Sequence, residues 1–386
     1  MMRTKKEIQA DIDYIKDSAV NTYIFGTGKI GTGIGYEIVR LLDIRVKSYC
    51  DNDSNKWGKM IKDGIFCISP NEMQEEEDCA CIILTGTEST KEILAQVKEM
   101  GIVTIIQYRE LWLLDSYIDK FYEAPYHFDE SIYWEREKMF SETAGSIRKI
   151  KNPCNKIAAI YTCIVGDYDE VHEPLIISEQ YDYYLISDKK PDNLQIYQWI
   201  DINDIVPEWV TYNAKKNRYC KINGNFIFSE YKYSVYIDGC VTIIKDIAHV
   251  FGRIGKSGMA FHRHPTEQCI YKEGLICIMK KFDDENLIRW QMAQYRKEKM
   301  PAEYGQIAGG IIVRENNHPV VQEIMRYWWH EVFTKSYRDQ LSFMYCLWKN
   351  GLTYQDVGCL GIWPDNENYF QLSKHRIDSR KFEPAD

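Results

Sequence analysis

The sequence predicts an α/β protein of two domains, and three observations predict it. The chain has 386 residues, more than one ordinary hydrophobic core organises. Short apolar runs alternate with helical patterns in both halves, as in sheets covered by helices. A glycine cluster follows the first apolar run, where a doubly wound domain makes its first strand-to-helix turn.

The elements follow in order. "MMRTKKEIQADIDYIKD" is charged and carries Ile8, Ile12 and Ile15 at helical spacing, which predicts an amphipathic helix and not the apolar core of a signal peptide. "NTYIFGTGKIGTGIGYEIVRLL" then reads as strand, glycine turn and helix. Gly26, Gly28 and Gly31 satisfy G-x-G-x-x-G there, a pattern that permits a tight turn and close approach of a diphosphate to a helix N-terminus. The strand "RVKSYC" ends at Asp51, 20 residues after Gly31, where a carboxylate can accept hydrogen bonds from a ribose. The same glycines serve equally well to pack helix on strand with nothing bound.

A third strand-like unit follows in "CACIILTG". The glycine turn, then "DND", "KWG" and the glycine and proline of "DGIFCISP", resembles the small Rossmann-like domains attached to bacterial surface-polysaccharide enzymes. That resemblance implies a nucleotide- or nucleotide-sugar-binding domain over 1–115. A helical linker is expected over 116–153, because "ESIYWEREKMFSETAGSIRKI" reads as helix and Pro153 marks a break.

Composition excludes several classes. Lys and Arg number 48 against 57 Asp and Glu, a net charge of -9, so no nucleic-acid partner is expected. The 12 cysteines are scattered apart from Cys79 and Cys81 in "CAC", with no C-x-x-C pair, which fits reduced thiols in a cytoplasm. No window reaches the roughly 18 apolar residues of a membrane span. Peripheral membrane contact stays open.

From Lys156 a second α/β pattern begins. "KIAAIYTCIVG", "YDYYLISD" and "YSVYIDGC" are continuous apolar runs, as in strands covered on both faces of a parallel or mixed sheet. Ligands in open α/β sheets sit beyond the carboxyl ends of strands, and Thr162, Asp188 and Asp238 are read at such ends. This arrangement resembles the nucleotide-sugar transferase architecture called GT-A. The likeness implies that the early strand ends hold base and ribose, and that Asp238 presents a carboxylate to a divalent metal, Mn2+ or Mg2+, on the donor diphosphate.

Eight motifs sharpen the likeness: "YTCIVGDYDEVHEP", "NRYCKI", "YSVYIDGCVTI", "HPTEQCIYKE", "QMAQYRKEKMP", "AGGIIVRENNHPVV", "WWHEVF" and "YRDQLSFMYCLWKN". In order and spacing they resemble the plant and bacterial glycosyltransferase-like family catalogued as domain of unknown function 616, over Lys156 to Gly358. The resemblance implies a GT-A-like glycosyltransferase domain over 154–386.

Each candidate residue has a plainer alternative. Asp238 is a metal or donor ligand, or a strand-ending Asp-Gly turn; Cys240 stands where the usual acidic motif has a second carboxylate. His262 and His264 lie two apart, on one face of a strand. They complete a metal site, bind phosphate, or hydrogen-bond at a domain edge, and Glu267 stands nearby where family sequences show Arg. Lys215, Arg218 and Lys221 recur every three residues along a helical face, as a diphosphate clamp or a solvated face. The resemblance implies a basic residue at Arg218. Asp339 opens a helix closed by Gly351, as an N-cap. The "RDQ" resemblance adds a general base acting on an acceptor hydroxyl. Gly309 and Gly310 allow close backbone approach to a sugar, or bend a strand. His375 closes the donor site and its metal, as late histidines do in some GT-A enzymes, or is a tail residue.

The expected function is a glycosyltransferase of hexosyl type. It moves a sugar from a nucleoside-diphosphate donor to a glycan or lipid-linked saccharide in bacterial surface polysaccharide synthesis. A noncatalytic nucleotide-sugar-binding scaffold or sensor is the alternative from another class. An NAD-dependent oxidoreductase rests on Gly26, Gly28, Gly31 and Asp51 alone.

Overall fold

The computed structural model describes residues 3–18, 20–76, 78–142, 147–265, 269–363 and 369–376. Glu267 lies outside them. The chain divides into two compact units, residues 1–125 and 126–386.

The first unit opens with the helix Lys5–Asp17. Thr4 and Glu7 form a reciprocal capping box at its start, and Ile8, Ile12 and Ile15 are its buried face. Six strands follow: β1 Asn21–Phe25, β2 Val46–Cys50, β3 Met60–Lys62, β4 Ile65–Ile68, β5 Cys79–Ile83 and β6 Thr104–Gln107. Their order is β3-β4-β2-β1-β5-β6. All pairs are parallel except the edge hairpin of β3 with β4. The order runs outward from β1 in both directions, the doubly wound arrangement expected from the glycine turn. Tyr23, Phe25 and Cys81 on one face meet Met73, Ile93 and Val97 from the helices Pro70–Gln74 and Thr87–Glu99.

The second unit carries β7 Ala158–Ile164, β8 Tyr181–Ser187, β9 Gln198–Asp201, β10 Tyr233–Ile237, β11 Val241–Ile243, β12 Met259–Arg263, β13 Ile307–Glu315, β14 Gly358–Ile362 and β15 Phe370–Leu372. Seven of these form a sheet in the order β14-β12-β13-β10-β7-β8-β9. β13 runs antiparallel to both neighbours, and the other pairs are parallel. Every residue of β7 is buried, as the continuous apolar run predicts for a strand covered on both faces. β11 and β15 pair separately as a small antiparallel ribbon beyond the end of β10.

One buried cation braces this unit. Arg314 on β13 has no exposed surface. Its Nη1 donates to the carbonyls of Lys221 and Ile222, both at 2.8 Å, and its Nη2 donates to the Tyr161 hydroxyl at 2.6 Å. The last carbonyls of the helix Asn213–Ile222, which lack partners within the helix, are satisfied in this way. Gly224 follows because a Cβ there would stand 1.9 Å from the Tyr161 hydroxyl.

The segment 116–153 contributes helices to both units. Ser116–Glu123 packs on the helix Ile34–Leu41 of the first, and Glu130–Glu142 packs on Pro319–Thr334 of the second. Three local readings change. β7 continues through Ile164, so Thr162 lies inside the strand and not at its end. A register shift between Phe261 and His262, and the end of β12 at Arg263, break the alternation that would put His262 and His264 on one face. Asp339 begins a short 3-10 turn, Asp339–Leu341, ahead of the helix Phe343–Lys349, and its carboxylate is drawn to buried cations rather than to cap the helix. Among the described residues no helix is long and apolar enough to cross a membrane.

Candidate active site

A cavity of about 490 Å³ opens at the carboxyl ends of β7 and β10, in the second unit. Asp238 lines it, one residue past β10, and keeps 30% of its side chain exposed. Its backbone NH donates to the Gly310 carbonyl at 2.8 Å, and its Oδ1 accepts from the Tyr236 hydroxyl at 2.8 Å. The Asp-Gly step has a steric cause. A Cβ on Gly239 would lie 2.8 Å from an Asp169 carboxylate oxygen and 3.0 Å from the Ile164 side chain.

Basic residues line the floor. Arg218 and Lys221, from the helix Asn213–Ile222, enter the cavity with Arg338. Lys221 Nζ is 2.7 Å from one Asp339 oxygen and 3.8 Å from Asp238, while Arg218 Nε is 3.3 Å from the other Asp339 oxygen. Lys221 and Asp339 are each 3% exposed, so the pair is desolvated. Burial alone would raise the Asp339 pKa, but Lys221 and Arg218 hold it well below the usual carboxylate range. Such a carboxylate is ionised and weakly basic. Asn217 ties the helix to the sheet by donating to the Cys163 carbonyl at 2.7 Å.

Lys215, expected on the same face, turns away. It donates to the Phe333 carbonyl at 2.7 Å, and burial, with Arg136 nearby, pushes its pKa down to about 7. At 3.6 residues per turn, positions 214, 218 and 221 share the cavity face and 215 leads it by most of a quadrant.

Gly309 and Gly310 on β13 form the wall beside these charges. A Cβ on Gly309 would come 3.1 Å from Lys221 Nζ, and one on Gly310 would come 2.5 Å from the Trp363 ring. Gly310→Ala is therefore expected to displace Trp363 from the wall and weaken donor binding several-fold. Tryptophan emission and a ligand titration check it; an unmoved spectrum with unchanged affinity counts against the assigned wall.

At the other end His375 Nδ1 meets Asp169 Oδ1 at 2.8 Å. Bonds to Asp169 and then to Cys240 raise the His375 pKa to about 10, against a smaller opposing effect of burial. His264 also lines the cavity, where burial and then Lys280 push its pKa down to about 4. His262 does not line the cavity: it is fully buried against Trp363 and Phe370.

The divalent-metal set expected of Asp238, His264 and His375 is not assembled. Among the described residues no group of three or more His, Cys, Asp or Glu side chains is placed to hold a metal. The donor chemistry agrees. Mn2+ and Mg2+ prefer oxygen ligands, yet Asp339 is paired with Lys221 and Arg218, Asp169 with His375, and the oxygen of Asp238 nearest a cation already faces Lys221. The residues present do not fit the hard cation.

Two early strand-end candidates stay outside the cavity lining. Thr162 is 3% exposed inside β7, its hydroxyl without a hydrogen-bond partner among the described residues. Asp188 accepts from the Gly166 backbone NH and so fastens the loop after β7.

The glycine motif of the first unit is closely packed on itself. Gly26 has φ +111°, and a Cβ on Gly31 would lie 1.9 Å from the Gly26 carbonyl oxygen, whereas one on Gly28 meets nothing. The helix begins at Ile34, beyond the motif. Asp51 Oδ2 accepts from the Thr27 NH at 3.0 Å and the Thr27 hydroxyl at 2.6 Å and pairs with Lys56 at 3.0 Å; Oδ1 accepts from the Asp53 NH at 3.0 Å. The carboxylate thus braces the glycine turn with its own neighbours. Asp51→Ala is expected to cost about 1–3 kcal/mol from these lost bonds, read as a lower melting temperature of the first unit. An unchanged melt contradicts the brace.

Asp169, Asn217, Arg338, Gln340 and Trp363 also line the cavity and were not singled out from sequence. Asp169, Asn217, Arg338 and Gln340 lie within the quoted motifs, so the signal was present there. Trp363 lies beyond the last motif.

Known proteins can be set beside this geometry. The family model described as "TOD1/MUCI70, glycosyltransferase-like domain" matches residues 141–366. Solved structures similar to this chain include the apo structure of the bifunctional glycosyltransferase WbbM, at 12% identity and TM-score 0.34, over 71% of this chain and 52% of that one. The chain therefore spans about half the length of that neighbour. The galactosyltransferase LgtC, in complex with donor and acceptor sugar analogs, is 9% identical with TM-score 0.27, over 48% of this chain and 70% of that one. Mouse xyloside xylosyltransferase 1 is 9% identical with TM-score 0.25, over 86% and 83% respectively. No curated protein matches in sequence. The family model covers more than half of the chain, including every element that lines the cavity floor, and the chain belongs to the TOD1/MUCI70 glycosyltransferase-like family.

Proposed function

We propose that the second unit transfers a sugar, of hexosyl type, from a nucleoside-diphosphate donor to a glycan or lipid-linked saccharide. Arg218, Lys221 and Arg338 converging beside Asp238 at the carboxyl end of β10 is the observation that carries this reading. In such a transfer an acceptor hydroxyl oxygen bonds to the anomeric carbon. The bond from that carbon to the donor phosphate oxygen breaks, its electron pair leaves with the nucleoside diphosphate, and the hydroxyl proton passes to that leaving group or to water. Negative charge grows on the leaving diphosphate, and preorganised cations in a partly dry cleft stabilise it. Asp339 holds Lys221 and Arg218 in place, and its ion pairing leaves it a weak base. Asp238 orients the donor through its open face.

The "DND" pattern of the first unit supports a setting in bacterial surface polysaccharide synthesis, and the scattered unpaired cysteines support a cytoplasmic one. The test is a panel of nucleotide-sugars incubated with the full chain and candidate saccharide acceptors, read by mass spectrometry for released nucleoside diphosphate and glycosylated product. One donor is expected to be consumed. If the chain neither binds nor consumes any member of the panel, in buffers with and without Mn2+, the reading is wrong.

A further inference from the structure

We propose that the donor diphosphate is neutralised by this chain's own Lys221, Arg218 and Arg338, with no divalent cation taking part. The inference rests on the transfer reading above and specifies how that site handles its leaving group.

The charge pattern supports it. Arg218, Lys221 and Arg338 line the cavity with three carboxylates, Asp169, Asp238 and Asp339, and Asp169 is already paired with His375 at 2.8 Å, which leaves three basic side chains against two carboxylates. Asp339 is consumed between Lys221 at 2.7 Å and Arg218 at 3.3 Å. Lys221 is also 3.8 Å from Asp238. A dication at Asp238 would add to a positive surplus, whereas a diphosphate relieves it.

Unused donors point the same way. The Nε atoms of Arg218 and Arg338 are buried and make no hydrogen bond among the described residues, and Arg218 meets Asp339 as an ion pair only. Arg338 rests over the Phe282 ring at 4.6 Å, which fixes a guanidinium plane at the cavity wall. Guanidinium groups offer phosphate oxygens paired donors, and an ammonium supplies a compact charge. Gly309 also leaves room beside Lys221 Nζ, where any Cβ would stand 3.1 Å away. Where a second acidic ligand is usual, the chain has the thiol of Cys240, a soft donor unsuited to Mg2+ or Mn2+.

The experiment measures calorimetric binding of uridine, guanosine, adenosine, cytidine and thymidine diphosphates, and of their common sugar conjugates, to the full chain. Each is measured in EDTA and in Mn2+, for wild type and Lys221→Gln. Affinities within twofold in the two buffers, with a loss of tenfold or more in Lys221→Gln, are expected. Binding seen only with Mn2+ overturns this inference and leaves the transferase reading standing. Binding in neither buffer overturns both. A folded Lys221→Gln that binds like wild type overturns the part given to Lys221. If that variant does not fold, the wild-type comparison of EDTA with Mn2+ decides the metal question alone.

Discussion

Asp339→Asn is expected to lower the stability of the second unit by about 3–5 kcal/mol, because breaking a buried pair strands the charges that remain. Lys221 and Arg218 would both lose the carboxylate that balances them. The melting temperature should fall by several degrees, and sugar transfer should be lost with it. A second variant separates the two effects. Asp339→Asn combined with Lys221→Met removes both members of the closest pair, so part of the stability should return while transfer stays absent. The pH dependence carries the same signature. The folded pKa of Asp339 lies below its unfolded value near 4. The stabilisation is therefore complete above that unfolded value and is lost as pH falls through the acid range towards the folded pKa. Wild type should lose melting temperature on acidification more steeply than Asp339→Asn. Parallel acid profiles would show that the ion pair contributes nothing.

Arg314→Met should be nearly as damaging, at about 2–4 kcal/mol, although Arg314 does not line the cavity. The substitution leaves the Lys221 and Ile222 carbonyls and the Tyr161 hydroxyl without the donor that now serves all three. The helix that carries Arg218 and Lys221 would fray from its carboxyl end. Donor affinity should fall together with stability, and amide exchange should quicken first in residues 219–223. Arg314→Lys should recover little, since one ammonium cannot reproduce two guanidinium arms. A variant that melts like wild type would remove the brace from this account.

Much of this was legible in the sequence for physical reasons that differ by residue. Asp238 stood out because a carboxylate directly after an apolar strand marks the strand's carboxyl end, and β10 does end at Ile237. Arg218 and Lys221 stood out by helical spacing, which also misplaced Lys215, because a three-residue repeat drifts off a 3.6-residue turn. Thr162 was misread because an apolar run does not announce where its last hydrogen bond falls; β7 runs two residues further. The two histidines of "FHRHP" were paired by alternation, which a register shift cancels without any sign in residue type. The pairing of Asp339 with Lys221 joins residues 118 positions apart in the chain, and local pattern carries no information about such a contact. Asp51 has the position of a ribose ligand, and the engagement of its oxygens by Thr27, Lys56 and Asp53 is a tertiary feature that residue type does not announce.

The reversed strand β13 has a further meaning. Its early residues Gly309 and Gly310 shape the cavity wall, and its later residue Arg314 grips the helix behind the cations. One nine-residue strand thus carries both the wall and the clamp, with an irregularity in its pairing to β12 lying at Gly309 and Gly310. Loops on either side can lengthen during evolution without altering the spacing between the two. A single inserted residue between Gly310 and Arg314 would turn Arg314 to the opposite face of the sheet, so length variation in relatives should stop at the borders of this strand.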